Sequence, residues 1–292
     1  MIDCAGHFGY VPLELPVFHA GYFKHTLTIL QCICKQCSRL LLPLDDRPGC
    51  IKKMKNPNLD ALSRGNLFKK IVGMCKRNTV CPYCFYSNGV VKKMTGCVFK
   101  IIHEKFRAKN VAFSNGNGNG TDDAYNNGMD DNEHMKNTPT ASLQLQKQQL
   151  KDIITEYPDL KPFLTKSQEV LNPIKCYDLL QKVTAEDMLL LWMDNQYGNT
   201  PDTLVVWNVP VPPVPIRPSV PMDSGDGSTE DDITMKLQEI IDVNNALKVA
   251  LNNGGTMKMV VEDWEFLQIQ CAQLINGETP GIPRQLLCPK PI

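Results

Sequence analysis

The chain has 292 residues, 42% of them hydrophobic and 21% charged, an ordinary balance for a globular protein of one or two domains. No stretch reaches the ~18 uninterrupted apolar residues of a membrane span, and the opening MIDCAGHFGY lacks the basic and apolar regions of a secretory signal. The net charge of zero hides a split: residues 1–110 carry 18 Lys/Arg against 6 Asp/Glu, and the remainder carries 13 against 25. A basic front part points to an anionic partner such as nucleic acid, or to a solvated Lys/Arg face.

In chain order, Leu13 to Phe18 reads as a short strand. Tyr22, Phe23, Leu27 and Leu30 stand at helical spacing and predict a helix over 22–33. Asn56-Pro57-Asn58 is a turn before a basic helix, 59–74. Val90-Val91, a turn at Thr95-Gly96 and the apolar run 98–102 predict a β-hairpin. Residues 114–140 are Asn/Gly/Asp-rich and too poor in apolar side chains to offset ordering entropy, so a disordered insertion is expected. Helices resume over 142–157 and after Thr184, whose Thr-Ala-Glu-Asp start resembles a capping box. The proline-dense stretch 209–221 forbids helix and favours an extended path. Ser228 or Thr229 is expected to cap a helix with an apolar stripe through Ile233, Leu237, Ile240, Ile241, Leu247 and Leu251, which ends over Asn252 to Gly255, with glycine available for a left-handed C-cap. A last helix, 260–275, should bury Trp264, Leu267, Cys271 and Leu274. The fold class is α+β, mostly helical with short strands.

Nine of the 12 cysteines precede residue 100. Without a secretory signal, clustered cysteine pairs read as metal ligands before disulfides. Cys34-x-x-Cys37 and Cys81-x-x-Cys84 can close a four-thiolate tetrahedral zinc site, each pair offering two sulfurs at about 2.3 Å from the metal. Lys35, Arg39, Lys76 and Arg77 would offset its net negative charge. Cys32 and Cys75 lie close enough in sequence to compete as ligands. Cys4-x-x-His7 supplies only half of a second zinc site. His19, His25 and His103 are isolated and read as structural. No motif for phosphate binding, serine nucleophiles or zinc proteases occurs, so no catalytic residue is assigned. Two other readings stay open on these residues alone: a free-standing zinc-binding nucleic-acid module, and a cysteine redox protein.

The blocks DCAGHFGYVPLELPVFHAGYF (3–23), ILQCICKQC (29–37), KRNTVCPYC (76–84), VPPVPIRPSV (211–220), DDITMKLQEII (231–241) and VEDWEFLQIQCAQLINGETPGIP (261–283) resemble the N-terminal clamp region in the largest subunits of multisubunit DNA-directed RNA polymerases, with wording closest to class III. The resemblance implies a zinc-stabilised clamp head on a helical clamp core. It divides the chain into a clamp-core segment with half a zinc site (1–33), a zinc-binding clamp head (34–113), the insertion (114–140), a helical remainder of the head (141–206), clamp core with the proline-rich connector and two helices (207–283), and a divergent tail (284–292). It implies nuclear, DNA-templated RNA synthesis as a nucleotidyltransferase complex. The expected partners are the other polymerase III subunits, including the second-largest, with template DNA and the DNA–RNA hybrid, and no membrane. Zn²⁺ would sit at Cys34, Cys37, Cys81 and Cys84. The catalytic Mg²⁺ would belong to an Asp triad of the full-length subunit, leaving this chain inactive alone. Lys69, Lys70, Lys92 and Lys93 are candidate phosphate contacts. In the family a Cys pair precedes the Cys4/His7 equivalents, and a lid, a rudder and the triad loop follow. Their absence here leads us to expect a fragment, a splice product or a gene-model error.

Overall fold

The computed structural model describes residues 5–95, 98–104, 152–153, 155–160, 168–193, 200–221 and 228–277. The expected insertion, residues 142–151 and 154 of the expected 142–157 helix, Cys4 and the divergent tail lie outside the described residues, while 152–153 and 155–156 are helical. The chain forms two compact units, residues 1–103 with 169–292, and residues 104–168. The second contains a short 3-10 turn, Pro158–Leu160. Everything below concerns the first, which bears out the mostly helical α+β class.

Strand β1, Gly9–Phe18, pairs antiparallel with β5, Val205–Val211. Pro210 joins this ladder opposite Tyr10. The proline-rich stretch is thus partly strand, because a two-stranded ribbon has open edges where a missing N–H costs no bond. The rest of the stretch holds a 3-10 turn, Val214–Ile216, and β6, Val220–Pro221. Gly6, at φ +79°, packs so tightly on Pro213 that a Cβ would stand 2.5 Å from the proline ring, so only glycine fits there.

The first lobe gathers helices around one apolar core. Helix α1, Phe23–Cys32, buries Phe23, Thr26, Ile29 and Leu30 on one face. Helix α2 is Arg47–Met54, and α3, Ala61–Arg77, is capped by the Asp60 carboxylate accepting from the Ser63 amide at 3.2 Å. Strands β2 (Val90–Lys93), β3 (Ile101–Glu104) and β4 (Gln168–Leu171) form a three-stranded sheet in that order. The expected hairpin is present, its second strand starting at Ile101. Helices α4, Pro173–Gln181, and α5, Ala185–Leu190, complete the lobe. Leu30, Ile33, Leu40, Ile71, Ile101 and Leu180 are among its fully buried side chains.

The second lobe is the β1/β5 ribbon against α6, Asp232–Asn252, and α7, Met257–Ile275. The cap of α6 is Asp231, whose carboxylate accepts from the Ile233 amide at 2.9 Å. Ser228 and Thr229 are instead extended, pairing as β7 with β6. Leu237, Ile240 and Leu247 are buried as expected, but Leu251 is exposed and Ala250 takes the inner position. The helix closes as anticipated, with Gly254 at φ +67° and the Gly255 amide donating to Ala250 O at 2.8 Å.

The ribbon breaks between Pro12 and Val17, where four β1 residues stand opposite Trp207 alone. Side chains of the two helices satisfy the freed backbone. Asn244 accepts from Glu14 N at 2.9 Å and donates to Pro12 O at 3.1 Å. Trp264 donates to Pro16 O at 2.8 Å. Beyond the break, at the end of the strand, Gln268 both accepts from Phe18 N at 2.6 Å and donates to Phe18 O at 2.9 Å. Asn244 and Gln268 are both buried and pair with backbone groups that would be costly to leave unpaired.

Candidate metal centre

The end of α1 and the end of α3 each feed a short loop that carries one cysteine pair. The two loops fold alike. In the first, the Cys34 amide donates to Arg39 O at 2.8 Å and the Ser38 amide to Cys34 O at 3.0 Å. In the second, the Cys81 amide donates to Tyr86 O at 3.0 Å and the Phe85 amide to Cys81 O at 3.0 Å. The residue after each second cysteine is left-handed, Ser38 at φ 58° and Phe85 at φ 57°. That turn is what brings both sulfurs of a pair to the same side. Each loop is closed by a single bridge, Ile33 to Leu40 and Val80 to Ser87.

The loops face one another. Cys34 Sγ lies 3.6 Å from Cys84 Sγ, and Cys37 Sγ 3.6 Å from Cys81 Sγ. All four sulfurs fall within 4.8 Å of one another. Four sulfurs at about 2.3 Å from one tetrahedral ion would be separated by about 3.8 Å, so the cluster fits a single thiolate-bound metal. Cys34 and Cys81 are fully buried, Cys37 is half-buried, and Cys84 is exposed. Cys32 and Cys75 are not in this cluster: both are buried and hydrogen-bond to each other, which lowers the Cys32 pKa and raises that of Cys75.

The surroundings favour negative charge at one sulfur. Burial pushes the Cys34 thiol up, but the amides of Cys37 and Gln36, the Asn88 side chain and the Cys84 thiol outweigh it and bring it down to about 7. Cys37 and Cys81 are raised, chiefly by burial. Lys35 is lowered to about 8 by burial, partly offset by the Cys34, Cys32 and Cys176 sulfurs, and its ammonium donates to Ile33 O.

Residues that the motif alone does not reveal hold the loops in place. Tyr83, inside the second pair, lies beneath the guanidinium groups of Arg39 at 5.1 Å and Arg47 at 5.9 Å. Arg47 pairs with the fully buried Asp187 at 2.6 Å, and Asp187 also accepts from the Leu40 amide at 3.3 Å and the Thr184 hydroxyl at 3.0 Å. Asn88 bonds to both loops. A buried Asp or Asn carries no periodic signal; only the Thr184-Ala-Glu-Asp187 pattern hinted at one of them.

Of the other sequence candidates, Lys69 and Lys70 are exposed on α3, and Lys92 and Lys93 are exposed on β2, with Lys93 above the Phe23 ring at 6.0 Å. His7 is exposed, and its sequence partner Cys4 is outside the described residues. His103 is buried and accepts from the Gly89 amide at 3.1 Å, while burial lowers the pKa of His19 and His25. Among the described residues, the four cysteines are the one group of three or more metal-ligating side chains brought together. No described helix is long and apolar enough to cross a membrane.

Two matched cysteine loops on a lobe of packed helices bring four thiols together in a geometry that fits one metal ion, the arrangement of a metal-binding module. The chain matches the family model for RNA polymerase Rpb1, domain 1, over residues 1–289, and it belongs to that family. It is 39% identical over 292 residues to the DNA-directed RNA polymerase III subunit rpc1 of Schizosaccharomyces pombe, covering 100% of this chain and 18% of that protein. It is 38% identical over 286 residues to the Dictyostelium discoideum subunit of the same name, covering 98% of this chain and 17% of the relative. It is also 38% identical over 283 residues to the Homo sapiens polymerase III subunit RPC1, covering 97% and 18%. The chain therefore spans less than a fifth of the length of the curated relatives it matches.

Proposed function

We propose that this chain serves as the N-terminal clamp portion of the largest subunit of DNA-directed RNA polymerase III. The observation that carries this reading is a match to polymerase III subunits along 97–100% of the chain. Residues 34–113 are the clamp head and 207–283 are clamp core. Zinc is the metal, held by Cys34, Cys37, Cys81 and Cys84, where it supplies a structural cross-link.

The rest follows from what these residues can do. The cysteine loops are short and each is closed by one bridge, so sulfur ligation fixes their mutual placement. Arg47, Asp187 and Tyr83 pass that rigidity to α2 and α5. The rigid basic lobe then meets phosphate rather than reading bases, with Lys69, Lys70, Lys92 and Lys93 as contacts. DNA template, the DNA–RNA hybrid and the second-largest subunit are its partners, in the nucleus. Nucleotidyl transfer is the work of the assembled complex, with Mg²⁺ held by carboxylates elsewhere in it. The isolated chain is expected to make no RNA on a template.

The test is Cys34→Ser with Cys81→Ser, introduced into the full-length subunit as its sole copy in cells. Short untranslated RNAs made by polymerase III should fall while messenger RNA synthesis holds. Undiminished polymerase III transcripts would contradict the proposal.

A further inference from the structure

The two cysteine loops are related by a shift of 47 positions: Cys34 matches Cys81, Cys37 matches Cys84, and the left-handed Ser38 matches Phe85. The match extends past the loops. The Leu41 amide donates to Cys32 O at 2.8 Å, and the amide at its counterpart, Asn88, donates to Thr79 O at 2.7 Å. Backbone and ligands thus repeat, and the side chain at this position does not. The first loop has an apolar Leu41, buried in the core. The second has Asn88, equally buried at 5% exposure.

A buried amide needs partners, and Asn88 finds them on both loops. Its oxygen accepts from the Lys35 amide, between the ligands of the first pair, at 2.8 Å. Its NH₂ donates to the Cys34 sulfur at 3.5 Å and to Tyr86 O, in the second loop, at 3.2 Å. It is therefore a non-cysteine side chain that touches a ligand sulfur and spans the gap between the loops.

We infer that Asn88 is a positioning residue of the metal centre, clasping the two cysteine loops together and steadying the Cys34 thiolate by a direct N–H···S bond. The inference rests on the reading of Cys34, Cys37, Cys81 and Cys84 as metal ligands. Its physical content is twofold. The clasp sets the separation of the loops, so less order has to be imposed when a metal binds. The donated hydrogen bond draws charge from one sulfur, as outer partners of metal ligands do.

The molecule itself supplies the variant, Asn88→Leu, which installs the residue of the equivalent position with similar volume and no polar atoms. A second, Asn88→Asp, keeps the acceptor for the Lys35 amide, removes the donor to Cys34 and sets a negative charge beside it. Zinc affinity of the purified chain is measured by competition with a chromophoric chelator, alongside the sulfur-to-metal charge-transfer band of the cobalt-loaded form. Both variants should bind zinc about 10–100-fold more weakly than the parent and shift that band. A parent chain without bound metal would remove the zinc reading itself. A metal-binding parent with variants of equal affinity and unchanged spectra would overturn the role of Asn88 alone. Should both variants fail to fold, the parent loaded with NMR-active cadmium decides: an Asn88 side-chain NH proton coupled to the metal is expected, and its absence at a metal-bound site overturns the inference.

Discussion

The two lobes meet the same difficulty and answer it differently. Each must bury backbone that has left regular structure. In the cysteine loops, sulfurs and the amides that point at them hold the irregular chain, with Asn88 across the gap. In the ribbon break at 13–16, the Asn244 amide from α6 and the Trp264 indole from α7 take the place of the missing ladder partner. The first solution is expected to depend on a metal and to be withdrawn by a chelator. The second rests on hydrogen bonds from the chain's own side chains.

The sharpest way to break this contrast is metal removal. Chelation should open 33–42 and 79–88, because structural zinc contributes about 10–16 kcal/mol in small metal-folded modules. Hydrogen exchange should show those amides losing protection while α6 and α7 keep theirs. Loss of protection in both lobes together would erase the distinction.

Next in size is the anchor between the loops and the helices beneath. Arg47→Met leaves Asp187 buried without its cation, so a loss of about 3–5 kcal/mol is expected in denaturant unfolding. In the second lobe, Ile240→Ala removes a fully buried side chain, at about 2–5 kcal/mol. Gln268→Leu strands the Phe18 amide and carbonyl, and should cost about 1–3 kcal/mol with no change in zinc content. A drop in bound metal in this last variant would mean that the lobes are not energetically separate. The smallest effect should be a gain: Phe85→Gly relieves a left-handed phenylalanine whose ring is exposed, raising stability by under about 1 kcal/mol.

The same contrast explains what could be read from the sequence. Paired cysteines announce themselves, because a soft tetrahedral ion needs four sulfurs and each loop geometry supplies two at fixed spacing. Helices α1, α6 and α7 were also legible, since their apolar faces repeat at helical period, and α3 was legible from the Asn56-Pro57-Asn58 turn before a basic run. Asn244 and Gln268 were not: as polar residues on amphipathic helices they look like ordinary surface positions. Trp264 was expected on the inner face, but its indole bond to Pro16 O was not, because it depends on the break in β1. The N-cap moved from Ser228 or Thr229 to Asp231 because extended pairing with Val220-Pro221 occupies the earlier residues. Leu251 lost its inner place to Ala250 where Gly255 closes the helix end. Asn88-Gly89 sits where a turn signal would, and its side-chain role depends on a loop 47 residues upstream in the chain's fold.

X-ray absorption at the zinc edge of the purified, folded chain tests the central claim most directly. The account predicts one zinc surrounded by four sulfurs at about 2.3 Å. A folded chain free of zinc, or one whose zinc is bound through nitrogen and oxygen, would contradict it.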